Sequence, residues 1–331
     1  RPRSPMTTLT LARQEKMDTK NPILLLEPAS ATTVVLSVLF LLMIQTAAFS
    51  GTIYVSPTTF PYTLDQPNTT YVLTTDVTCD GIAFEITANG IVFDGAGHKV
   101  NHTKVAGHGF YGIGVRGDAT VKNFILENID QTVDDSWNIY VAGVGAEVYS
   151  NAIYSRSQYK AMFITGAAKV HDNTIYCTGQ SPYGGIFLHG ANLSGNEIYN
   201  NIINVENGAG IYISGGKDGG SKVHDNTIDS MGAGIVLLTG NCQKNEFRNN
   251  TLKARSDRIA FDDWPSPGSG PFNNTFRNDV LIEKAGGTGY DIYSMANSSN
   301  TFVDLSFNKN DVGFRTGSTA EIIIKWTLGL V

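Results

Sequence analysis

Charged residues are scarce in this sequence. They make up 16% of its 331 residues, whereas hydrophobic residues make up 41%. The 24 lysines and arginines are outnumbered by 30 aspartates and glutamates, which gives a formal net charge of −6. A protein that binds nucleic acid needs a basic stripe or groove on its surface, so this composition argues against a nucleic-acid partner. It is compatible with sugars that are neutral or bridged by cations.

Cysteine is also rare. Cys79, Cys177 and Cys242 are far apart in the chain, and no Cys-x-x-Cys pair of the kind found in zinc sites is present. We therefore predict no metal ligands among them. Free cysteines are among the residues that proteins bury most often, so we expect three buried thiols in the core.

The N-terminal region has no charge between Glu27 and Asp65. This stretch contains the apolar run Val34-Val-Leu-Ser-Val-Leu-Phe-Leu-Leu-Met-Ile44, followed by small residues up to Ser50. The pattern predicts a secretory signal over residues 1–50. The alternative is an uncleaved membrane anchor, because the charge-free stretch is long enough to span a bilayer. In both cases we expect the rest of the protein outside the cytoplasm, in the medium, at the cell surface or in the periplasm.

Glycine, with 35 residues, and asparagine are abundant, which favours short strands and turns over helices. The chain also repeats itself, since Val170-His-Asp-Asn-Thr-Ile175 is identical to Val223-His-Asp-Asn-Thr-Ile228. Weaker copies place an asparagine two residues before a large apolar residue, about 25 residues apart, the length of one solenoid coil. These asparagines are Asn123, Asn151, Asn173, Asn196, Asn226, Asn245, Asn274 and Asn300. We expect them to stack as one ladder of side-chain amides.

A second repeated element lies between the asparagines, as in Gly185-Ile-Phe-Leu-His-Gly190 and Gly210-Ile-Tyr-Ile-Ser-Gly215. A glycine opens each copy, and alternating residues of the strand that follows point to opposite sides. The expected inward residues are Ile186, Leu188, Ile211, Ile213, Ile235 and Leu237. The expected outward residues are Met162, Phe187, Tyr212, Val236 and Ala260.

These repeats predict an all-β fold, a right-handed single-stranded parallel β-helix of about nine or ten coils, preceded by a signal peptide. The solenoid is expected over residues 51–320, with residues 51–80 covering its open N-terminal end. Residues 321–331 break the repeat. They form either a capping strand or the start of a following β domain.

The segment Phe93-Asp-Gly-Ala-Gly-His98, followed by recurring Asn-x-Ile coils, resembles the NosD-like, pectin-lyase-like right-handed β-helix proteins with carbohydrate-binding and sugar-hydrolysis repeats. The resemblance covers about 80–320. It implies the fold far more specifically than the function, because this scaffold carries lyases, hydrolases, epimerases and non-catalytic surface proteins. The C-terminal segment is similar to the linker strand that leads into an immunoglobulin-like domain in archaeal cell-surface β-helix proteins.

The later coils contain one adjacent acidic pair, Asp262 and Asp263. The candidate catalytic residues are this pair together with Arg258 and His189. Paired carboxylates suit glycoside hydrolysis, and a β-helix lyase would add Ca²⁺, although no cofactor is otherwise expected. Aligning the repeats places His189, Ser214 and Asp262 in one column, three rungs from end to end, roughly 14 Å. The candidate substrate-binding residues are Trp264, Tyr212, Phe187 and Arg255.

Three functions remain open at this point. The first is an exported, non-catalytic β-helix that binds a glycan or forms part of the cell envelope. The second is a polysaccharide lyase or glycoside hydrolase acting outside the cell. The third, implied only by the NosD-like resemblance, is a periplasmic copper-handling protein. His171 and His224 occupy equivalent repeat positions, but they are expected to be polar turn residues and not metal ligands. Contact with a membrane is expected only through an uncleaved N-terminal segment.

Overall fold

The computed structural model describes residues 51–103, 109–128, 136–156, 160–179, 183–190, 194–215, 220–238, 242–263, 270–295 and 297–327. The predicted signal or anchor at 1–50 lies outside the described residues. Within them the chain consists of short β-strands joined by turns. None of these residues belongs to a helix with the length and hydrophobicity needed to cross a membrane.

The described strands are three to six residues long. In chain order they are β1 Thr52–Val55, β2 Tyr62–Leu64, β3 Thr70–Leu73, β4 Val77–Asp80, β5 Phe84–Ile86, β6 Ile91–Asp94, β7 Lys99–Thr103, β8 Phe110–Val115, β9 Ala119–Lys122, β10 Ile125–Asn128, β11 Ser136–Val141, β12 Ala146–Tyr149, β13 Ala152–Ser155, β14 Met162–Ile164, β15 Ala168–His171, β16 Thr174–Cys177, β17 Ile186–Gly190, β18 Glu197–Tyr199, β19 Ile202–Val205, β20 Ile211–Gly215, β21 Lys222–His224, β22 Thr227–Ser230, β23 Ile235–Leu238, β24 Glu246–Arg248, β25 Thr251–Ala254, β26 Ile259–Asp262, β27 Phe272–Arg277, β28 Val280–Glu283, β29 Ile292–Ser294, β30 Ser299–Val303, β31 Val312–Phe314 and β32 Glu321–Lys325.

These strands form three parallel sheets that run along the solenoid. Sheet A has the order β1-β3-β6-β9-β12-β15-β18-β21-β24-β27-β30-β32, sheet B the order β2-β5-β8-β11-β14-β17-β20-β23-β26-β29-β31, and sheet C the order β4-β7-β10-β13-β16-β19-β22-β25-β28. Each coil passes through sheets A, C and B in turn. Nine coils of the described chain contribute a strand to all three sheets. The predicted all-β parallel β-helix of about nine coils is therefore confirmed.

Both described ends of the solenoid continue its sheets. At the N-terminal end β1 pairs in parallel with β3, and β2 pairs with β5, so residues 51–80 extend the coils. At the other end β32 pairs in parallel with β30 and is the last strand of sheet A. Residues 321–325 are thus part of the solenoid wall.

The core fills the space between the three sheets. The predicted inward residues all have no exposed surface, and Ile186, Ile211 and Ile235 lie in register on successive strands. Burying such a side chain contributes about 1.5–3 kcal/mol. The prediction for Met162 is wrong. Met162 pairs with Ile186 and points inward, and the outward residue of β14 is Phe163.

The three cysteines are buried free thiols, as predicted. Burial raises the pKa of Cys177 and of Cys242 to about 12, because the apolar surroundings disfavour a thiolate.

The asparagine ladder is two ladders, not one. The first follows sheet A at the turn into sheet C, and each Nδ2 donates to the Oδ1 of the next member, at 2.8–3.0 Å. Its members are Asn151, Asn173, Asn201, Asn226, Asn250 and Asp279. The second lies at the start of the sheet A strands and contains Asn245, Asn274 and Asn300, with Asn196 at the equivalent position accepting from the Ala168 amide.

The predicted column mixed these two ladders because both place an asparagine before an apolar strand residue. Asn123 belongs to neither. It has a positive φ of 59°, as Ser150, one residue before Asn151, does in the next coil. The amide of Phe124 takes the ladder position instead and donates to Asn151 Oδ1 at 3.0 Å. The left-handed turn residue therefore precedes the ladder residue, and the two roles are separate.

Candidate functional site

The column predicted on sheet B is present in the structure. His189 pairs with Ser214, Ser214 with Leu238, and Leu238 with Asp262, so His189 and Asp262 are three rungs apart on the outer face. His189 is exposed, whereas Asp262 is half-buried. Burial, followed by the charge of Lys160, lowers the pKa of His189 and favours a neutral imidazole.

The other two predicted catalytic residues do not face this column. Both carboxylate oxygens of Asp263 accept hydrogen bonds from Arg315, at 3.2 and 2.9 Å, and Asp263 is buried. Arg258 has no exposed surface. Its Nε donates to Asp291 Oδ1 at 2.9 Å, and its Nη2 pairs with Asp311.

Arg258 therefore joins three successive coils from inside the wall. A guanidinium without exposed surface has no open face toward a polysaccharide, so the structure gives Arg258 a place in the solenoid wall and not in a cleft. Asp262, Asp263 and Arg258 do not meet in one cleft. Asp263 lies on the other side of the strand from Asp262 because successive strand residues point to opposite sides. Arg258 precedes β26 and is held by Asp291 and Asp311 of the following coils.

The aromatic side chains predicted to bind substrate are largely covered. Phe187 and Tyr212 are 7% and 8% exposed and contact each other edge to face at 5.2 Å. Tyr183 stacks on Phe187, and the Lys160 ammonium lies 4.2 Å from the centre of the Phe187 ring. Little ring surface remains for a sugar. Trp264 lies outside the described residues.

Arg255, the fourth predicted substrate-binding residue, is exposed and lies at a different place, on the edge where sheet C ends. Its backbone amide donates to Ser230 O at 3.1 Å. In each neighbouring coil, the backbone amide of the first residue after the sheet C strand donates to a carbonyl oxygen of the preceding coil. One residue per coil is therefore aligned along this edge. These residues are Arg156, Thr178, Glu206, Met231, Arg255 and Lys284.

Two tyrosines beside this edge are the exposed aromatic pair of sheet C. Tyr154 on β13 and Tyr176 on β16 are register partners and are 41% and 40% exposed. Their rings are parallel within 6°, with centroids 5.3 Å apart. Glu127 precedes Tyr154 in this outward column, and Asn204 follows Tyr176. The pair thus stands in a polar row on the solenoid surface.

Two cavities along this face form what we call the sheet-C groove. One, of about 140 Å³, is lined by Glu127, Asn128, Tyr154, Ser155, Arg156, Tyr176 and Thr178. The other, of about 210 Å³, is lined by Tyr176, Cys177, Thr178, Asn204, Val205, Glu206, Asp229, Met231 and Lys284. They share Tyr176 and Thr178, so the two cavities are neighbours along this face. The groove follows the solenoid axis from Glu127 to Asp229, over four rungs or about 19 Å.

The charges in the groove largely cancel. Glu127 accepts a hydrogen bond from Lys99 Nζ at 3.0 Å. Asp229 accepts one from Lys253 at 2.9 Å and one from Lys284 at 2.6 Å. Burial alone would raise the pKa of Asp229, but these two ammonium groups outweigh it and lower the pKa below its ordinary value. The groove therefore presents aromatic and hydrogen-bonding groups with little net charge.

Reasoning from sequence missed the sheet-C groove, although a signal was available. Tyr154 and Tyr176 both follow an isoleucine at the same distance after a ladder asparagine, Asn151 and Asn173. The Asn-x-Ile-Tyr pattern in two consecutive coils places two tyrosines side by side. The sheet B element, with its more regular glycines, is the more conspicuous of the two patterns in the sequence.

Sheet A carries a second row of stacked rings on its outer face. Tyr149, His171, Tyr199 and His224 stack with centroids 4.5–5.1 Å apart. His171 Nδ1 contacts Asp172 at 2.7 Å, and its Nε2 contacts Glu147 at 3.2 Å. The two carboxylates lie on opposite edges of the ring, so they cannot share one metal ion with it.

His224 repeats this arrangement two rungs away, with Tyr199 in between. In the part of the chain that the structure describes, no group of three or more His, Cys, Asp and Glu side chains could hold a metal ion.

Comparison with known proteins places the chain in a family. Residues 89–261, just over half of the chain, match the family described as "Right handed beta helix region". The chain belongs to this family, and its three-sheet parallel architecture agrees with that description. No curated protein matches the sequence.

Solved structures with a similar fold include a mutant of the periplasmic alginate epimerase AlgG, with 10% identity, a TM-score of 0.43 and coverage of 84% of both chains. The catalytic unit of an α-1,3-glucanase from Streptomyces thermodiastaticus shows 13% identity and a TM-score of 0.45, over 84% of this chain and 61% of that one. Endopolygalacturonase I from Stereum purpureum shows 14% identity and a TM-score of 0.38, over 84% and 94%. These likenesses concern the fold.

Proposed function

We propose that this protein is an exported β-helix that binds an extended polysaccharide along the sheet-C groove. The observation that carries the proposal is the exposed, parallel pair of Tyr154 and Tyr176 in the sheet-C groove. Tyrosine combines an apolar ring with a hydroxyl group, which suits the apolar faces and hydroxyl rim of a pyranose.

The polar residues beside the tyrosines supply the hydrogen-bonding part of such a site. Thr178 is exposed and Asn204 is half-buried, and both line the groove next to Tyr176. A hydroxyl group can donate and accept, and an amide offers both functions from separate atoms. Sugar hydroxyls need this mixture, so the groove can satisfy several of them along its length.

The spacing of the coils also suits a polymer. Equivalent side chains recur about every 4.8 Å along the axis, which is comparable to the length of one sugar ring. A chain laid along the groove would meet a similar set of contacts at each residue. Specificity would then come from the coil-to-coil differences, with Arg156 at one end and Asp229 and Lys284 at the other.

The balanced charges indicate how the ligand is held. Because Glu127 and Asp229 are already paired with lysines, stacking and hydrogen bonding contribute more than net ionic attraction. We therefore expect binding that changes little with salt, since screening acts mainly on unpaired surface charges. A steep loss of affinity with salt would point to an ionic mode of recognition instead.

A polysaccharide panel with tyrosine variants tests the proposal. Each aromatic contact contributes about 0.5–1.5 kcal/mol. Tyr154→Ala and Tyr176→Ala should therefore each weaken binding about two- to tenfold, and the double variant by about the product. Tyr54→Ala is the matched control, because Tyr54 is 72% exposed and lies on β1, away from the groove. Absence of binding across the panel, or an equal loss for Tyr54→Ala, would contradict the proposal.

The alternative of a polysaccharide lyase or hydrolase rests on fewer residues than the sequence indicated. Asp262 and His189 remain on the outer face of sheet B, while Arg258 and Asp263 are committed to ion pairs. The same panel should be examined for new reducing or unsaturated ends. If such products form, and are lost in Asp262→Asn but retained in Tyr176→Ala, the protein is an enzyme with its site on sheet B. That result would contradict the proposal of a non-catalytic glycan-binding groove.

Export is proposed from the sequence of residues 34–50. Expression in a secreting host, followed by determination of the N-terminal residue of the recovered protein, tests it. A mature chain that begins near Gly51 supports a cleaved signal. Recovery in the membrane fraction with the apolar run intact supports the anchor, and recovery in the cytoplasm contradicts export.

A further inference from the structure

Cys79 and His102 occupy the same inward position on two successive coils. Cys79 lies on β4 and His102 on β7, and the two residues are register partners in sheet C. Both point into the solenoid, with 7% and 1% of their surface exposed. Register partners on neighbouring strands are about 4.8 Å apart, so Cys79 and His102 occupy adjacent rungs at the same inward position.

The imidazole of His102 lacks the hydrogen bonds that a buried ring normally makes. Within the described part of the chain neither Nδ1 nor Nε2 has a hydrogen-bond partner. Burial lowers the pKa of His102 to about 4, so the ring is neutral at physiological pH. One ring nitrogen therefore carries a lone pair that nothing else uses. Buried polar atoms without a partner are rare and call for an explanation.

The thiol of Cys79 is similarly available. Its only hydrogen-bond contact among the described residues is a long one, from Sγ to Gly81 O at 4.0 Å. Burial, and then the charge of Asp80, raises the pKa of Cys79 to about 11, so the group is a neutral thiol and not a reactive thiolate. A soft sulfur and a neutral imidazole nitrogen are the ligands that soft metal ions prefer.

We propose that Cys79 Sγ and a ring nitrogen of His102 form a two-ligand site for one thiophilic monovalent cation of the Ag(I) and Cu(I) type. A sulfur–metal–nitrogen bridge spans roughly 4.3 Å, close to the separation of adjacent strands. Zinc, which takes four ligands in structural sites, does not fit, because no larger ligand group exists among the described residues. This inference is independent of the proposed glycan site.

The binding step involves no change of oxidation state. The S–H bond of Cys79 breaks, its proton passes to solvent, and the sulfur and the imidazole lone pair form bonds to the cation. One proton is released for each cation bound, and the cation must supply the free energy that deprotonates a buried thiol. Affinity should therefore rise with pH.

Titration of the reduced full-length protein with Ag(I), in competition with a chelator of known affinity, tests the site. We expect one tight equivalent for the unchanged protein. Cys79→Ser and His102→Gln should each weaken binding at least tenfold.

Cys177→Ser and Cys242→Ser are matched controls, because both thiols are buried. Cys177 has Ser155 and Val205 in register, and Cys242 Sγ contacts Ile213 O at 3.5 Å. Both control variants should keep the tight equivalent.

Two results would overturn the proposal. One is tight binding that survives His102→Gln, since the thiol alone would then suffice. The other is an equal loss in Cys177→Ser. If the Cys79 or His102 variants fail to fold, X-ray absorption of the unchanged protein with one equivalent of Ag(I) decides. One sulfur and one nitrogen ligand support the site, and a shell without nitrogen contradicts it.

Discussion

Asp279 closes the first asparagine ladder by accepting two hydrogen bonds from Asn250. Its Oδ1 receives the Asn250 backbone amide and Nδ2, each at 2.8 Å, as an asparagine Oδ1 does at every other rung. Its Oδ2 stands where the asparagines carry an NH₂ group. In the described chain this oxygen is buried and has no hydrogen-bond partner. An unprotonated carboxylate is therefore poorly suited to this position.

Replacing Asp279 by Asn should stabilise the protein at neutral and alkaline pH. Burial outweighs the hydrogen bonds from Asn250 and raises the pKa of Asp279 from 3.8 to about 7. A raised folded-state pKa means that the folded protein holds the proton more tightly than the unfolded chain. Stability should therefore fall as pH rises from about 4 to 7 and then level off. Asp279→Asn removes this loss, about 2–4 kcal/mol at pH 8.

Urea unfolding at pH 4 and pH 8 measures the effect. The gain from Asp279→Asn should be present at pH 8 and nearly absent at pH 4, where the carboxyl is already protonated in the folded state. Asp65→Asn is a suitable control, because Asp65 is exposed. Parallel pH profiles for the unchanged protein and Asp279→Asn would show that the carboxyl has an unrecognised partner.

Asn201→Ala should destabilise the solenoid strongly. Asn201 Oδ1 accepts from both nitrogens of Asn173, and its Nδ2 donates to Val170 O at 2.9 Å and to Asn226 Oδ1 at 3.0 Å. Alanine leaves these buried partners unsatisfied, which costs about 2–4 kcal/mol.

Chemical denaturation of Asn201→Ala beside Asn207→Ala, whose asparagine is exposed, isolates the ladder effect. The control should change stability by less than about 0.5 kcal/mol. Similar values for the two variants would mean that the ladder adds little to the stability of the coils.

Arg258→Met should lower stability without a specific effect on glycan binding or turnover. The substitution leaves Asp291, which is 7% exposed, without its main counter-charge, and breaking a buried ion pair costs about 3–5 kcal/mol. Thermal unfolding and the polysaccharide panel should be measured together, with Arg277→Met as the control, because Arg277 is exposed and lies on sheet A. A stable Arg258→Met variant that loses glycan binding or product formation would contradict this purely structural role.

The repeat predicted the strands well because its apolar residues recur at the buried position of each coil. Ile211 and Ile235 recur at the spacing of one coil, and register in a parallel sheet then places them at one inward position. The two asparagine ladders were merged because Asn196 and Asn226 have the same local pattern. The two asparagines differ only in the turn that they occupy, before or after a sheet A strand. Because turn lengths vary between coils, the sequence spacing does not show which turn each one occupies.

The site was harder to predict than the fold, for a physical reason. Arg258 was a candidate because it lies near Asp262 in the sequence, but its partners Asp291 and Asp311 come from later coils, 33 and 53 residues further along the chain. No local pattern indicates such partners. Tyr154 and Tyr176, by contrast, were predictable, since adjacency across one rung follows from the repeat alone.

The three thiols should resist alkylation in the folded protein. Burial is the main cause that raises the pKa of Cys79 to about 11 and of Cys177 and Cys242 to about 12, so at pH 8 almost no thiolate is present to react. Mass spectrometry after exposure to iodoacetamide should show an unmodified chain, with full modification in urea. Any slow native reaction should appear first at Cys79, which is 7% exposed against 4% and 0% for the others. Rapid labelling of Cys242 would instead mean that its coil opens far more often than a fully buried thiol in a continuous ladder of strands allows.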